Sequence, residues 1–255
     1  MERDLRGRTA LVTGAAKRLG RVIALRLADE GVNLVFNYLR SRAAAEGTER
    51  ALRERGVGVL ALQADLCDLQ ATERLIEAAR KEFGHVDILV NNASVFSRSP
   101  LAQLSREKEV FDQLFDLQAH LHIRAPFYLG MQLGLEMKNR GWGRIININD
   151  RVTAKGQAYP HYGLYLATKY GLYGVSQALA QELKPEVSVN TVAPGMVMAP
   201  PEYSREVVER LRRQIPLQRQ ADPEEIAADV LHLIQSDSKT GSVISTDGGA
   251  GVHTY

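Results

Sequence analysis

A chain of 255 residues with 45% hydrophobic and 24% charged residues has the size and composition of an ordinary α/β globule with a large core. Its formal net charge of +2 gives no electrostatic case for nucleic acid or an acidic membrane surface as a partner. A single cysteine, Cys67, excludes an internal disulfide and a multi-cysteine metal site, and fits a reducing cytoplasm.

The opening stretch MERDLRGRTALVTG is charged from its second residue, so no signal-peptide core is expected. No run approaches the roughly 18 uninterrupted apolar residues of a membrane span. No repeat, low-complexity stretch or linker divides the chain, and residues 1–255 are expected to form one domain.

The first apolar run, TALVTG (9–14), predicts a strand. RVIALRLADEG (21–31) predicts a helix with Ile23, Leu27 and the alanines at 24 and 28 on one stripe, and Gly31 as its stop. Further strands are expected at VNLVFNY (32–38), GVLALQADL (58–66), VDILVNNA (86–93), RIININD (144–150), VSVNTVAPG (187–195) and SVISTDGG (242–249). ATERLIEAARKEFG (71–84) is a second clear helix. Near-continuous apolar strands alternating with amphipathic helices imply right-handed βαβ units. The expected fold is one Rossmann-type, doubly wound sheet of seven mainly parallel strands with helices on both faces. Ligands of such sheets bind beyond the carboxyl ends of the strands, where TGAAKRLG, NYLRS, ADL, NNAS, NIND, APG and TDGG all fall.

TGAAKRLG (13–20) is almost a dinucleotide loop. Gly14 and Gly20 suit a tight turn and close helix–strand packing, and a helix beginning near Arg18 aims free N–H groups at a pyrophosphate. Lys17 and Leu19 complete the candidate contacts. A second glycine would normally stand where Arg18 stands. The plain alternative is an ordinary strand–helix turn. After the second strand the chain reads NYLRSR, with no acid until Glu46. An acid there would hold a ribose 2′-hydroxyl. Arg40 instead suits a 2′-phosphate through its planar fork, and Ser41 can donate to it, which favours NADP(H); otherwise this is a solvated basic loop.

YLATK (165–169) sets Tyr165 and Lys169 one helical turn apart on one face. The ammonium is expected to lower the phenol's pKa and make it a usable proton donor, and Lys169 can also reach a nicotinamide ribose. The alternative is a core tyrosine.

TGAAKRLG, ADL, NNAS, YLATK, VNTVAPG and TDGG, in this order and spacing, resemble the short-chain dehydrogenase/reductase family over almost the whole chain. The resemblance implies an NAD(P) cofactor, a homotetramer and proton donation by Tyr165 with Lys169 in support. It places Asp65 and Leu66 at the adenine, Asn91, Asn92 and Ala93 in the adenine-side turn, and Pro194 and Gly195 in the cofactor crevice. Three features depart from the general family. Arg18 is one. The usual catalytic serine is replaced, with Asp150 at the strand end and a short insertion in RVTAKGQAYPHY. His122 falls at the position of a catalytic asparagine, or is simply a packed core histidine.

Together these departures resemble the pteridine reductase branch, with Arg18, Arg40–Ser41, NNASVF (91–96) and Asp150 matching its pattern. The Asp150–Tyr165 spacing is two residues longer than that branch implies. The implied substrate is a pterin or folate. Phe96 would stack on its ring, Arg18 would reach its oxygen and the phosphates, and Ser94 would bond the ring edge or a phosphate. Asp150 would accept from its amino group and ring N–H, beside Tyr165. Bland alternatives remain: an Asx turn for Asp150, a core anchor for Phe96, a surface helix residue for Arg18. The rival functions are an NADPH-dependent carbonyl reductase, such as a 3-oxoacyl-carrier-protein reductase, and a catalytically silent NADP-binding sensor. A substrate-covering loop and helix are expected over about 196–215.

Overall fold

The computed structural model describes residues 3–156, 158–199 and 203–252. Seven strands form one sheet: β1 (Thr9–Val12), β2 (Asn33–Tyr38), β3 (Val59–Gln63), β4 (Ile88–Asn91), β5 (Gly143–Ile148), β6 (Val187–Pro194) and β7 (Val243–Thr246). Their order is β3-β2-β1-β4-β5-β6-β7, and every pairing is parallel. The sheet is therefore wholly parallel, where the sequence suggested mainly parallel. Its strands are shorter than the apolar runs, because the Gly-, Asn- and Asp-rich ends leave the ladder. Gly14, for example, takes φ +66, which ends β1 in a turn.

The connecting helices are α1 (Arg18–Asp29), α2 (Arg42–Arg53), α3 (Leu69–Phe83), α4 (Leu101–Leu104), α5 (Lys108–Ala119), α6 (Ala125–Asn139), α7 (Arg151–Lys155), α8 (Gly163–Glu182), α9 (Arg205–Arg213) and α10 (Pro223–Gln235). A π-helical turn, His120–Arg124, joins α5 to α6. Successive strand residues feed opposite cores. Ala10 and Val12 of β1 pack with α1 and α10, whereas Leu11 packs with α3, α6 and α8. Both faces being buried explains why the strands read as continuous apolar runs.

The chain runs from β1 outward to β2 and β3, then returns to place β4 on the other side of β1. That reversal opens a crevice above the carboxyl ends of β1 and β4. Among the described residues no helix is long and apolar enough to cross a membrane. Of the expected substrate-covering segment, α9 forms as a helix, while residues 200–202 lie outside the described residues.

Candidate active site

The floor of the crevice is the turn between β1 and α1. A Cβ on Gly14 would come within 3.1 Å of Ala93 Cα, and one on Gly20 within 2.7 Å of Gly14 O and 2.5 Å of Asn92 Nδ2. Both glycines thus let this turn lie against the strand β4 end. Thr13 Oγ1 accepts the backbone N–H groups of Asn92 and Ala93 at 2.9 and 3.0 Å. Asn92 Nδ2 returns a bond to Thr13 O at 2.8 Å. Buried Asn37 fastens the turn from β2, accepting from Gly14 N at 2.9 Å and donating to Ala64 O at 3.0 Å. Sequence reading passed over Thr13 and Asn37, since both lie inside apolar runs.

The N-cap of α1, Lys17, makes no side-chain cap, and the first turn holds no acid, so the positive end of the helix is left electrostatically open. Leu19 packs against the core beneath. Arg18 has φ +55, the left-handed conformation in which a glycine is at home. The backbone keeps a glycine's geometry while carrying an arginine, at a cost of about 1 kcal/mol. The side chain reaches across the crevice and donates from Nη2 to Met198 O at 2.6 Å.

Arg40 is exposed at the end of β2, and Ser41 is the N-cap of α2 without a side-chain cap bond. Asp65 is exposed and accepts from Cys67 N at 2.9 Å. Leu66 turns its side chain into the core. Asn91 is also turned inward, donating to Asn147 Oδ1 at 2.8 Å. Gly195, after Pro194, passes so close to Asp247 that a Cβ would meet its Cα at 2.8 Å.

On the other side, β5 and α8 bring the reactive groups together. Asp150 is the N-cap of α7, and its Oδ1 accepts from Val152 N at 3.1 Å. The bland Asx-turn reading is therefore correct as far as it goes, but the carboxylate does more. Oδ1 also accepts from the Tyr159 hydroxyl at 2.9 Å, and Oδ2 from the Tyr165 hydroxyl at 3.0 Å. Tyr159 was not singled out by sequence. Lys169 is wholly buried and donates to Ile148 O at 3.1 Å. Asn149 Nδ2 holds the Lys169 carbonyl at 3.1 Å.

This geometry corrects one expectation. The Tyr165 phenol is not lowered by Lys169: burial, and then the Asp150 carboxylate, hold it well above the ordinary phenol range. The ammonium lies 5.7 Å from the Tyr165 ring centre and is itself brought down to about 8 by burial, with Asp150 opposing. Burial, and then the Asp150 carboxylate its hydroxyl faces, keep the proton on Tyr165.

His122, in the π-helical turn, is buried. Its Nε2 accepts from Val95 N at 3.2 Å and pairs with Ser94 Oγ at 2.9 Å. Nδ1 lies 2.8 Å from Thr168 Oγ1, whose hydroxyl donates to Tyr165 O at 3.0 Å. These partners fix the proton on Nδ1. Burial, then Lys169, push the ring down to about 2, so it stays neutral. It clamps the loop after β4 to α8, and the Ser94 hydroxyl is engaged in that clamp.

Phe96 stacks on Tyr162, ring centres 4.1 Å apart and planes 12° apart, and stands edge-on to Tyr165 at 4.8 Å. It is nonetheless 44% exposed, so one face is backed and the other open. The Tyr162 hydroxyl lies 3.1 Å from that of Tyr203, in the segment leading to α9. Phe96 is thus no core anchor.

The family model described as enoyl-(acyl carrier protein) reductase matches residues 14–251. The 3-oxoacyl-(acyl-carrier-protein) reductase FabG of Staphylococcus aureus is 34% identical over 247 residues, covering 95% of this chain and 97% of the relative. Among solved structures, FolM alternative dihydrofolate reductase 1 from Brucella canis, complexed with NADP, has a TM-score of 0.90 at 28% identity. That match covers 100% of this chain and 98% of the other. Acetoin dehydrogenase from Enterobacter cloacae has a TM-score of 0.84 at 29% identity over 96% of this chain and 95% of that one.

Proposed function

The chain belongs to the short-chain dehydrogenase/reductase family, and on that footing we propose that it reduces a pterin, dihydropterin or dihydrofolate with NADPH. The residues present fit the dinucleotide. The uncapped α1 N-terminus and the closely packed Gly14 and Gly20 suit the pyrophosphate, flanked by Lys17, Arg18 and Leu19. Arg40, with Ser41 and the α2 N-terminus, suits a 2′-phosphate, since no acid stands in the first turn of α2. Asp65, the Leu66 backbone and Ala93 border the adenine side, with Asn91 supporting them from below. Pro194 and Gly195 border the nicotinamide, and Lys169 its ribose. When bound, NADPH supplies a hydride from nicotinamide C4. The FolM relative's complex with NADP supports the same cofactor here.

The observation that carries the substrate class is Asp150. Carbonyl reduction calls for a hydrogen-bond donor at the substrate oxygen. An ionised carboxylate offers only acceptors. A pterin edge presents an amino group and ring N–H as donors, which Asp150 can accept beside the Tyr165 hydroxyl. Phe96 stacks on the pterin through its open face, with Tyr162 behind it. Arg18 and Ser94 bond the ring's polar edge. Tyr165 gives up the proton that accompanies the hydride.

A 3-oxoacyl-carrier-protein reductase is the second reading, favoured by the 34% identity to FabG. An assay of NADPH oxidation with dihydrobiopterin, dihydrofolate and an acetoacetyl thioester decides between them. Turnover of a pterin or folate is expected; turnover of the thioester alone overturns the proposal. NADPH binding with no turnover of any of the three favours a sensor.

For assembly and location we propose a cytoplasmic homotetramer. The lone cysteine suits a reducing compartment. Phe111 and Phe115 stack at 5.9 Å on the exposed side of α5, and Phe127 of α6 is also exposed, apolar surface of the kind that assembly covers.

A further inference from the structure

We propose that His122 is a positioning residue that fixes the Ser94 hydroxyl as an acceptor toward the substrate, so that the site selects a ring edge that donates hydrogen bonds and turns away a carbonyl. This rests on the reading that a pterin or folate lies beside Ser94 and Phe96. Ser94 follows Ala93, which packs on Gly14 at the crevice floor, and precedes Phe96 by two residues. Ser94 is exposed there, while His122 behind it is 1% exposed.

Four hydrogen bonds in series leave the Ser94 proton one direction. The Tyr165 carbonyl can only accept, so the Thr168 hydroxyl places its one proton there, at 3.0 Å. Thr168 Oγ1 then meets His122 Nδ1, 2.8 Å away, only as an acceptor, which puts a proton on Nδ1. On the other side of the ring the Val95 N–H can only donate, at 3.2 Å, so Nε2 carries no proton. Ser94 Oγ lies 2.9 Å from that same bare nitrogen and therefore donates to it. The opposite tautomer would set two N–H groups against each other at Val95 and two lone pairs against each other at Thr168.

A serine hydroxyl has one proton and two lone pairs. With the proton held by His122, Ser94 shows the crevice lone pairs alone. The Asp150 carboxylate is likewise an acceptor. A pterin edge, with its amino group and ring N–H, suits two such groups, whereas a ketone or thioester carbonyl sets a lone pair against each. For the same reason Ser94 has no proton to give a cofactor phosphate. His122 itself touches no substrate. It acts through Ser94 and, by way of Val95, holds the loop that carries Phe96.

The tautomer is tested on the protein without substrate. A proton–nitrogen long-range correlation spectrum of the His122 ring is expected to show Nδ1 protonated and Nε2 bare. A proton on Nε2 overturns the proposal and leaves the pterin reading untouched. Kinetics test the consequence. His122→Asn keeps a donor for Thr168 but falls short of Val95 and Ser94. It is expected to raise KM for dihydrobiopterin or dihydrofolate by about fivefold with kcat within about twofold, and to shift the ratio of pterin to acetoacetyl-thioester kcat/KM toward the thioester by about tenfold. His122→Gln sets an amide oxygen near the place of Nε2 and should restore most of that KM. In a Ser94→Ala background, His122→Asn should change KM by less than about twofold, because the group it acts through is gone. Additive losses overturn the proposal. So does a fall in Tm with KM and the substrate ratio unmoved, or a His122→Gln no better than His122→Asn. Should His122→Asn not fold, Ser94→Ala alone is expected to raise pterin KM by about tenfold, and an unchanged KM overturns the proposal. If the wild-type protein turns over no pterin or folate, the pterin reading and the selection built on it fall together, whatever the spectrum shows.

Discussion

The two sides of the crevice are made of different material. Around β1 and β4, contacts run through backbone: Gly14 and Gly20 pressed against Ala93 and Asn92, with Thr13 and Asn37 tying turns together. Around β5 and α8, contacts run side chain to side chain: Tyr159 and Tyr165 on Asp150, Ser94 and Thr168 on His122, Phe96 on Tyr162. The first side tolerates almost no added atom, as suits the cofactor proposed for it. The second can be rewritten one side chain at a time, as suits the proposed choice of substrate.

If this division is right, changes on the second side remove chemistry and spare cofactor binding. Tyr165→Phe is expected to lower kcat by about a thousandfold, while an NADPH fluorescence titration stays near wild type. Loss of NADPH binding in that variant would break the distinction. On the first side Gly20→Ala, normally helix-favouring, would force a Cβ onto Gly14 O. We expect a fall in stability of about 1–3 kcal/mol by denaturant titration together with weakened NADPH binding; a rise in Tm would refute the packing argument. Asp150→Ser restores a donor at the strand end. It should cost about tenfold to a hundredfold in pterin kcat/KM and raise thioester turnover, which competition assays can read directly.

Lys169 gives a pH test of the second side. With its ammonium brought down to about 8, the charged form predominates below that pH. Turnover should therefore be level below about pH 8 and fall about tenfold per unit above it, and Lys169→Met should erase the break. An unchanged alkaline limb in Lys169→Met would assign the break elsewhere. The smallest effect is expected at Arg18→Gly, which relieves a left-handed arginine. Stability should rise by about 1 kcal/mol, with pterin affinity hurt more than NADPH affinity in paired titrations. The reverse ordering would move Arg18 wholly to the cofactor side.

The seven strands and the positions of the turns could be read from the chain because parallel strands buried on both faces leave long apolar runs, and glycines with tightly fixed surroundings end them. The electrostatics of the site could not. The spacing of Tyr165 and Lys169 put them on one helix face, but spacing says nothing of which neighbour the hydroxyl meets. It meets Asp150, and burial first and that carboxylate second reverse the expected direction of its pKa. Tyr159 was set aside because it has no lysine four residues on, and it sits in an irregular Gly- and Pro-containing connection whose path no periodicity encodes. His122 was balanced between packed and functional; it is buried, and through Ser94 and Thr168 it ties the Phe96 loop to the helix of Tyr165.

Arg18 carries a final consequence. Glycine would hold the same left-handed backbone at less cost, so what the arginine adds is reach. Its guanidinium ties the turn after β1 to Met198 O in the segment that leads to α9, so two stretches far apart in the chain are held together by one strained residue.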